Sequence, residues 1–346
     1  MIKKIQDIKK EVNFKNLTVE EIKEKLGGTK VHAIAVQKGG TGKTTASSDL
    51  AYTLAKKGFK VLLIDSDPQA SLSSLCNVDT INDDVKGLQD IYEYALMNKG
   101  RINLDEIKNI WVGKEPVYVK PIRESGKYVN KEVKFGFDLI PANINLANCD
   151  IALANDNRGA LMLYSVICRI KEEMDYDYIL IDTCPGLSTI AYNAITAAVD
   201  GVIVPINLEP MTIKGAQNLI NVTTEIQHLL DRLGVVHKGI AGIIKNQYAP
   251  RLNIQKRFSN IVETFWPIPT FEASIPNKTS CDTAHDLGRL YSEYDPKVGQ
   301  IYEELVDEII ALDIYRANEK EPIYVEEFGE EIWNMINENN GKGDEK

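Results

Sequence analysis

A chain of 346 residues, 44% hydrophobic and 26% charged, has the material for one large α/β domain with appendages. It has no run of about 18 apolar residues and no apolar core in its Lys-rich N-terminus, which argues against a membrane-spanning helix or a secretory leader and for a cytoplasmic protein. From Glu303 onward there are 14 acidic and 4 basic side chains, whereas the preceding residues hold 36 of each, so the net charge of −10 belongs to the tail and nucleic acid is not excluded as a partner of the main body. Five scattered cysteines with no Cys-x-x-Cys pair argue against a disulfide framework or a zinc site.

Residues 1–30 are predicted to form a helical arm. Ile5, Ile8 and Val12 recur at helical spacing, and Thr18 with Glu21 spells a capping box ahead of a helix that ends at Gly27-Gly28. Val31 to Val36 is a buried first strand. It runs into Lys38-Gly39-Gly40-Thr41-Gly42-Lys43-Thr44-Thr45, a phosphate cradle. The glycines let backbone N–H groups approach phosphate oxygens, Lys43 reaches the β- and γ-phosphates, Thr44 is placed for Mg²⁺, and the following helix aims its positive end at the anion. The loop departs from Gly-x-x-x-x-Gly-Lys-[Ser/Thr] at its first glycine and carries an additional cation, Lys38, on its outer lip.

Lys60 to Asp65 is a continuous apolar strand of the kind found in doubly covered parallel sheets, and it delivers Asp65-Ser66-Asp67-Pro68-Gln69 at its C-terminal end. A helix is expected over Gly87 to Met97. The polar, Pro-punctuated stretch 98–135 reads as an insertion containing a loop or hairpin. Phe137 to Pro141 returns to the sheet, and 151–174 is expected to be mostly helical. Tyr176 to Asp182 is an apolar strand ending in a carboxylate, followed by the switch-like loop Thr183-Cys184-Pro185-Gly186. Gly201 to Ile206 and Gly239 to Lys245 are further strands with a helix between them. This alternation predicts an α/β fold with a doubly wound, mainly parallel sheet flanked by helices, spanning residues 31–312. Residues 313–346 form an acidic extension in which Val325, Phe328, Ile332, Met335 and Ile336 make an amphipathic stripe.

The two-lysine loop, the Asp-x-Asp-Pro-Gln motif at Asp65 and the strand ending at Asp182 together resemble the ParA/MinD family of deviant Walker A P-loop ATPases. Asp-Pro-Gln favours its DNA-partitioning branch. The resemblance implies an ATPase using ATP and Mg²⁺, with Lys38 reaching the phosphates of a facing subunit in an ATP-dependent homodimer. It implies Lys43 on the phosphates, Asp67 orienting the attacking water, Thr44, Asp65 and Asp182 around the metal, and Asn246 and Pro276 against adenine. It further implies nonspecific binding of double-stranded DNA, association with the nucleoid, a centromere-binding partner of the ParB type and no membrane. Arg251, Lys256, Arg257, Lys278 and Arg289 lie where relatives gather a basic surface. The arm is too short for the winged-helix domain of some plasmid relatives, so it covers its own domain, extends the dimer or contacts DNA.

Two other functions remain open. A MinD-like membrane-cycling ATPase uses a basic amphipathic tail, whereas this stripe is flanked by Glu326, Glu327, Glu330 and Glu331. A small-molecule synthetase on the same fold would need a further catalytic cluster, and none is visible among His32, His228, His237 and His285.

Overall fold

The apolar runs become strands, and the helices that return the chain after them make the pairing parallel. The computed structural model describes residues 3–80, 85–105, 117–124, 127–266 and 268–319. In chain order the strands are β1 (Lys30–Ile34), β2 (Val61–Ser66), β3 (Val117–Glu124), β4 (Lys127–Lys134), β5 (Asp138–Ile140), β6 (Tyr178–Thr183), β7 (Gly201–Ile206), β8 (Ile240–Tyr248) and β9 (Thr270–Pro276). Seven of them form one parallel sheet in the order β5-β2-β6-β1-β7-β8-β9, while β3 and β4 form a separate antiparallel pair. The chain order reverses at β1, which places a crevice beyond the carboxyl ends of the central strands, where ligands bind in such sheets.

Alternation along the strands divides the core. Ile34, Leu63, Leu180 and Ile244 face the helices Lys43–Lys56 and Pro296–Arg316. Val31, Leu62, Ile64 and Ile179 face the helices Leu88–Met97, Leu146–Asn155, Met162–Glu173 and Thr189–Ala197. Under β7 and β8, Val202, Val204 and Ile243 meet the helices Pro210–Asp231 and Asn253–Phe265.

The N-terminal arm packs on its own domain. Its helices, Ile5–Val12 and Val19–Leu26, send Ile5, Ile8, Ile22 and Leu26 into the core shared with Pro296–Arg316, and the Thr18–Glu21 capping box forms as expected. At about 1.5–3 kcal/mol for each fully buried aliphatic side chain, this seam anchors the arm firmly.

Two boundaries differ from the expectation, and one strand was not anticipated. The helix Pro296–Arg316 runs past residue 312, because Asp313 and Arg316 are buried in contacts to His32 and to the Ile240 carbonyl. The expected extension therefore starts inside the domain, and its amphipathic stripe lies outside the described residues. Helix 151–174 is two helices, Leu146–Asn155 and Met162–Glu173, with a turn at Gly159, where a Cβ would collide with the Leu153 carbonyl. Within the expected insertion lies the β3–β4 ribbon. β9 was not anticipated.

β9 is an edge strand, and two of its N–H groups are provided for. Glu308, buried in the last helix, accepts from the N–H of Glu272 at 2.7 Å and of Ala273 at 3.4 Å, and Lys9 from the arm pairs with it at 3.3 Å.

His32, fully buried on β1, lies 3.0 Å from the Gly201 carbonyl through Nδ1 and 3.1 Å from both carboxylate oxygens of Asp313 through Nε2. The carbonyl can only accept, so Nδ1 carries a proton; with a carboxylate at Nε2 the arrangement suits an imidazolium. Burial opposes that charge, but Asp313, with help from Asp200, raises the His32 pKa above its usual value.

Candidate nucleotide site

After β1 the chain crosses residues 37–42 and enters the helix Lys43–Lys56. Gly40 and Gly42 have φ of +73° and +78°, a region that favours glycine, and a Cβ on Gly42 would stand 2.2 Å from Asn246 Nδ2. Over this loop opens a cleft of about 520 Å³, lined by the segment from Gly39 to Thr45 together with Asp67, Ser71, Pro185 and His285. The helix start supplies free N–H groups and the positive end of its dipole to whatever anion sits there.

The two lysines are placed differently. Lys43 is 6% exposed, and its ammonium donates to the Lys38 carbonyl at 3.4 Å. Burial lowers its pKa, with Asp182 and Asp67 opposing that shift. Lys38 points outward instead and pairs with Glu209 at 2.7 Å, the two side chains being 39% and 52% exposed.

Two carboxylates lie side by side beneath the cleft, because Asp65 of β2 and Asp182 of β6 are register partners. Both are fully buried. Asp182 accepts from Thr44 Oγ1 at 2.9 Å and from Ser47 Oγ at 2.8 Å; burial first and Asp65 second push its pKa up to about 7. Asp65 accepts from the Ser73 hydroxyl at 2.6 Å and from the N–H groups of Ser73 and Asp67 at 2.9 and 3.1 Å, and burial pushes its pKa up to about 6. These donors satisfy Asp65, which makes no ion pair among the described residues. It shapes the loop that carries Asp67 and stands behind the cleft lining. Paired buried carboxylates beside a threonine hydroxyl form an all-oxygen donor set that suits a hard dication, so the residues fit Mg²⁺, with Thr44 and Asp182 the groups that would hold it.

Asp67 lines the cleft, its Oδ1 fixed by the N–H of Gln69 at 2.9 Å. Thr45 also lines it and lies 3.4 Å from His285 Nε2. Nothing in the residue pattern singled out His285 for this place. Ser47, by contrast, was findable: it follows Lys43 by one helical turn, on the face that meets Asp182.

Asn246 and Pro276, the residues expected against adenine, are not among those that line this cleft. Asn246 is buried, and its amide donates to the Thr41 carbonyl, so it braces the phosphate loop from behind. Pro276 ends β9 and does not line the cleft; its carbonyl lies 3.4 Å from the Tyr291 hydroxyl. Asn246→Ala should therefore weaken ATP and GTP binding alike, by about tenfold for the loss of one buried hydrogen bond. Calorimetric titration of both nucleotides checks this, since a residue reading adenine would affect ATP alone.

Of the basic candidates, Arg251, Lys256 and Arg257 are exposed around the start of the helix Asn253–Phe265. Lys278 pairs with Asp295 at 3.0 Å and Arg289 with Glu293 at 2.6 Å, the second pair largely buried.

A sequence profile described as AAA domain (AAA_31) matches residues 29–233. Uncharacterized protein MJECL24 of Methanocaldococcus jannaschii is 32% identical over 268 residues, covering 77% of this chain and 91% of that protein. The chromosome partitioning protein ParA of Caulobacter vibrioides is 28% identical over 286 residues, covering 82% and 94%. The chain belongs to the ParA/MinD family of P-loop ATPases. Solved structures place this ParA/MinD-family chain in the same fold: a Cyanothece McdA variant in complex with ATP (TM-score 0.61, 24% identity, 82% of this chain and 96% of that one), and the cobyrinic acid a,c-diamide synthase of Mycobacterium smegmatis with bound ADP and magnesium (TM-score 0.61, 23%, 87% and 99%). A fold shared by such different proteins leaves the chemistry of this family member to its own residues.

Proposed function

We propose that this chain is an ATP-dependent DNA-partitioning ATPase that dimerises on ATP, binds duplex DNA nonspecifically and is released when a ParB-type partner stimulates hydrolysis. The observation that carries this reading is the division of labour between the two loop lysines. Lys43 is enclosed within its own cleft, while Lys38 stands on the outer lip with its side chain part-exposed, where a facing copy could present its nucleotide. In such a dimer Lys38 exchanges Glu209 for the partner's phosphates, and ATP stabilises the pair because the pair binds it better than either subunit alone.

Hydrolysis then requires positioning and charge neutralisation more than covalent chemistry. Lys43 and the loop N–H groups neutralise the phosphates. Bound Mg²⁺ would offset their remaining charge from the Thr44 and Asp182 side. Asp67, in the cleft wall and anchored by Gln69, orients the attacking water. Exposed Arg251, Lys256 and Arg257 supply phosphate contacts to DNA, a role that needs no base reading. The partitioning role, rather than division-site positioning, follows Asp-Pro-Gln and the partitioning function named for the Caulobacter relative.

The test is salt-dependent binding to nonspecific duplex DNA with no nucleotide, ADP or ATP, alongside molecular mass in solution, for wild type and Lys38→Ala. Wild type should dimerise and bind DNA only with ATP, and Lys38→Ala should do neither. Dimerisation with ATP but no DNA binding even at low salt would refute the partitioning role.

A further inference from the structure

The helix Lys43–Lys56 carries a buried carboxylate that the nucleotide chemistry does not use. Asp49 follows Thr45 by one helical turn, on the same face, and is fully buried. Its Oδ1 accepts from the N–H of Ser292 at 2.6 Å, a contact between residues 243 positions apart. Its Oδ2 has no hydrogen-bond partner among the described residues. Thr45, one turn earlier, meets His285 Nε2 at 3.4 Å. These two contacts tie the helix that opens at the phosphate loop to one stretch of chain, the short helices Ser280–Asp286 and Tyr291–Tyr294 with the turn between them. That stretch supplies the cleft wall at His285 and Gly288.

Thr45 lines the cleft, whereas Asp49 is not among its lining residues, so Asp49 acts on a ligand only through the wall it holds. A carboxylate grips an N–H about twice as strongly as an uncharged acceptor does. Burial pushes the Asp49 pKa up to about 7 against the pull of Ser292 and Tyr291, so the strength of that grip changes near neutrality. Around it, Tyr52, Cys281, Tyr291 and Tyr302 all have raised pKa values and are uncharged there. Glu293, which opposes ionisation of Asp49, is paired with Arg289.

We infer that Asp49 is a positioning residue of the nucleotide cleft, its ionised form holding the wall at His285 and Gly288 against the phosphate-loop helix in the geometry that receives ATP. This rests on the cleft being the nucleotide site and adds what regulates its affinity. Asp49 is neutral well below pH 7 and ionised well above it. Nucleotide binding therefore favours the ionised form, releases protons near pH 7 and tightens as pH rises.

The test is calorimetric titration of a non-hydrolysable ATP analogue with Mg²⁺ into wild type and Asp49→Asn between pH 6 and 8.5. Asn keeps the shape and the accepting oxygen but stays neutral. The analogue's phosphates, Asp182 and His285 are common to both proteins, so they cancel in the comparison. At pH 8.5 the variant should bind about fivefold more weakly, and the two affinities should converge by pH 6. A deficit of the same size at both ends of the range overturns the inference, because shape rather than charge would then hold the wall. Equal affinity throughout also overturns it, being the result expected if Asp49 only packs the core. A second readout needs no variant: hydrogen exchange at the Ser292 amide of wild type should slow when the analogue binds, and unchanged protection counts against the clamp. Failure of wild type to bind the analogue at any pH overturns the nucleotide reading and this inference together.

Discussion

Asp67→Ala should lower steady-state ATP hydrolysis by about 10²-fold or more while leaving ATP binding and ATP-dependent self-association intact. The carboxylate reaches the cleft from a loop held by three bonds to Asp65, and it acts on the phosphate loop through its field on Lys43. Under the proposed function, removing it deletes the group that orients the water and spares those that hold the nucleotide. The DNA-bound dimer should consequently outlive that of wild type. Single-turnover hydrolysis and the dissociation rate from DNA after ATP washout check both halves. Turnover within a few-fold of wild type would reassign the orienting role to another residue of the cleft.

The second large effect is on stability. Asp313→Ala leaves the fully buried His32 without its carboxylate and should cost about 3–5 kcal/mol, the usual penalty for breaking a buried ion pair from one side. Asp313→Asn should cost much less, because its amide can donate to the neutral ring. The pH dependence follows from the direction of the shift. The His32 pKa is raised in the folded chain, so the contribution is complete below the unfolded value of about 6.5 and is lost as pH rises through the folded value. Wild type should therefore lose stability relative to Asp313→Asn between neutral and mildly alkaline pH. Urea unfolding of the three proteins across pH 6–9 measures this. Parallel pH profiles for wild type and Asp313→Asn would show that the pair is not ionised.

The nucleotide site was legible because its residues are contiguous and their chemistry is stereotyped: strand, glycine loop, lysine, hydroxyl, helix. The central strands were legible for a related reason, since burial on both faces leaves unbroken apolar runs. β9 was not, because Thr270–Pro276 alternates buried with half-exposed residues at the sheet's margin. Residue type also could not say what a side chain would find in three dimensions. Asn246 has the same donors whether it meets a base or the Thr41 carbonyl. Lys278 and Arg289 looked like free cations because their carboxylates come later in the chain, although the i,i+4 spacing of Arg289 and Glu293 was a usable signal. Asp65 was grouped with the metal residues because Ser73, eight residues on, is an unremarked serine until the loop folds back and donates to it.

The carboxylate of Glu308 on β9 governs how copies of this protein can meet. An approaching strand would have to strip a buried acid from two main-chain donors and from Lys9 before it gained a single bond. Pairing of another strand is therefore opposed at Glu272 and Ala273 of that margin. Under the proposed function, association belongs instead to the loop rims at the carboxyl ends of the strands, where a bound nucleotide can decide when it happens.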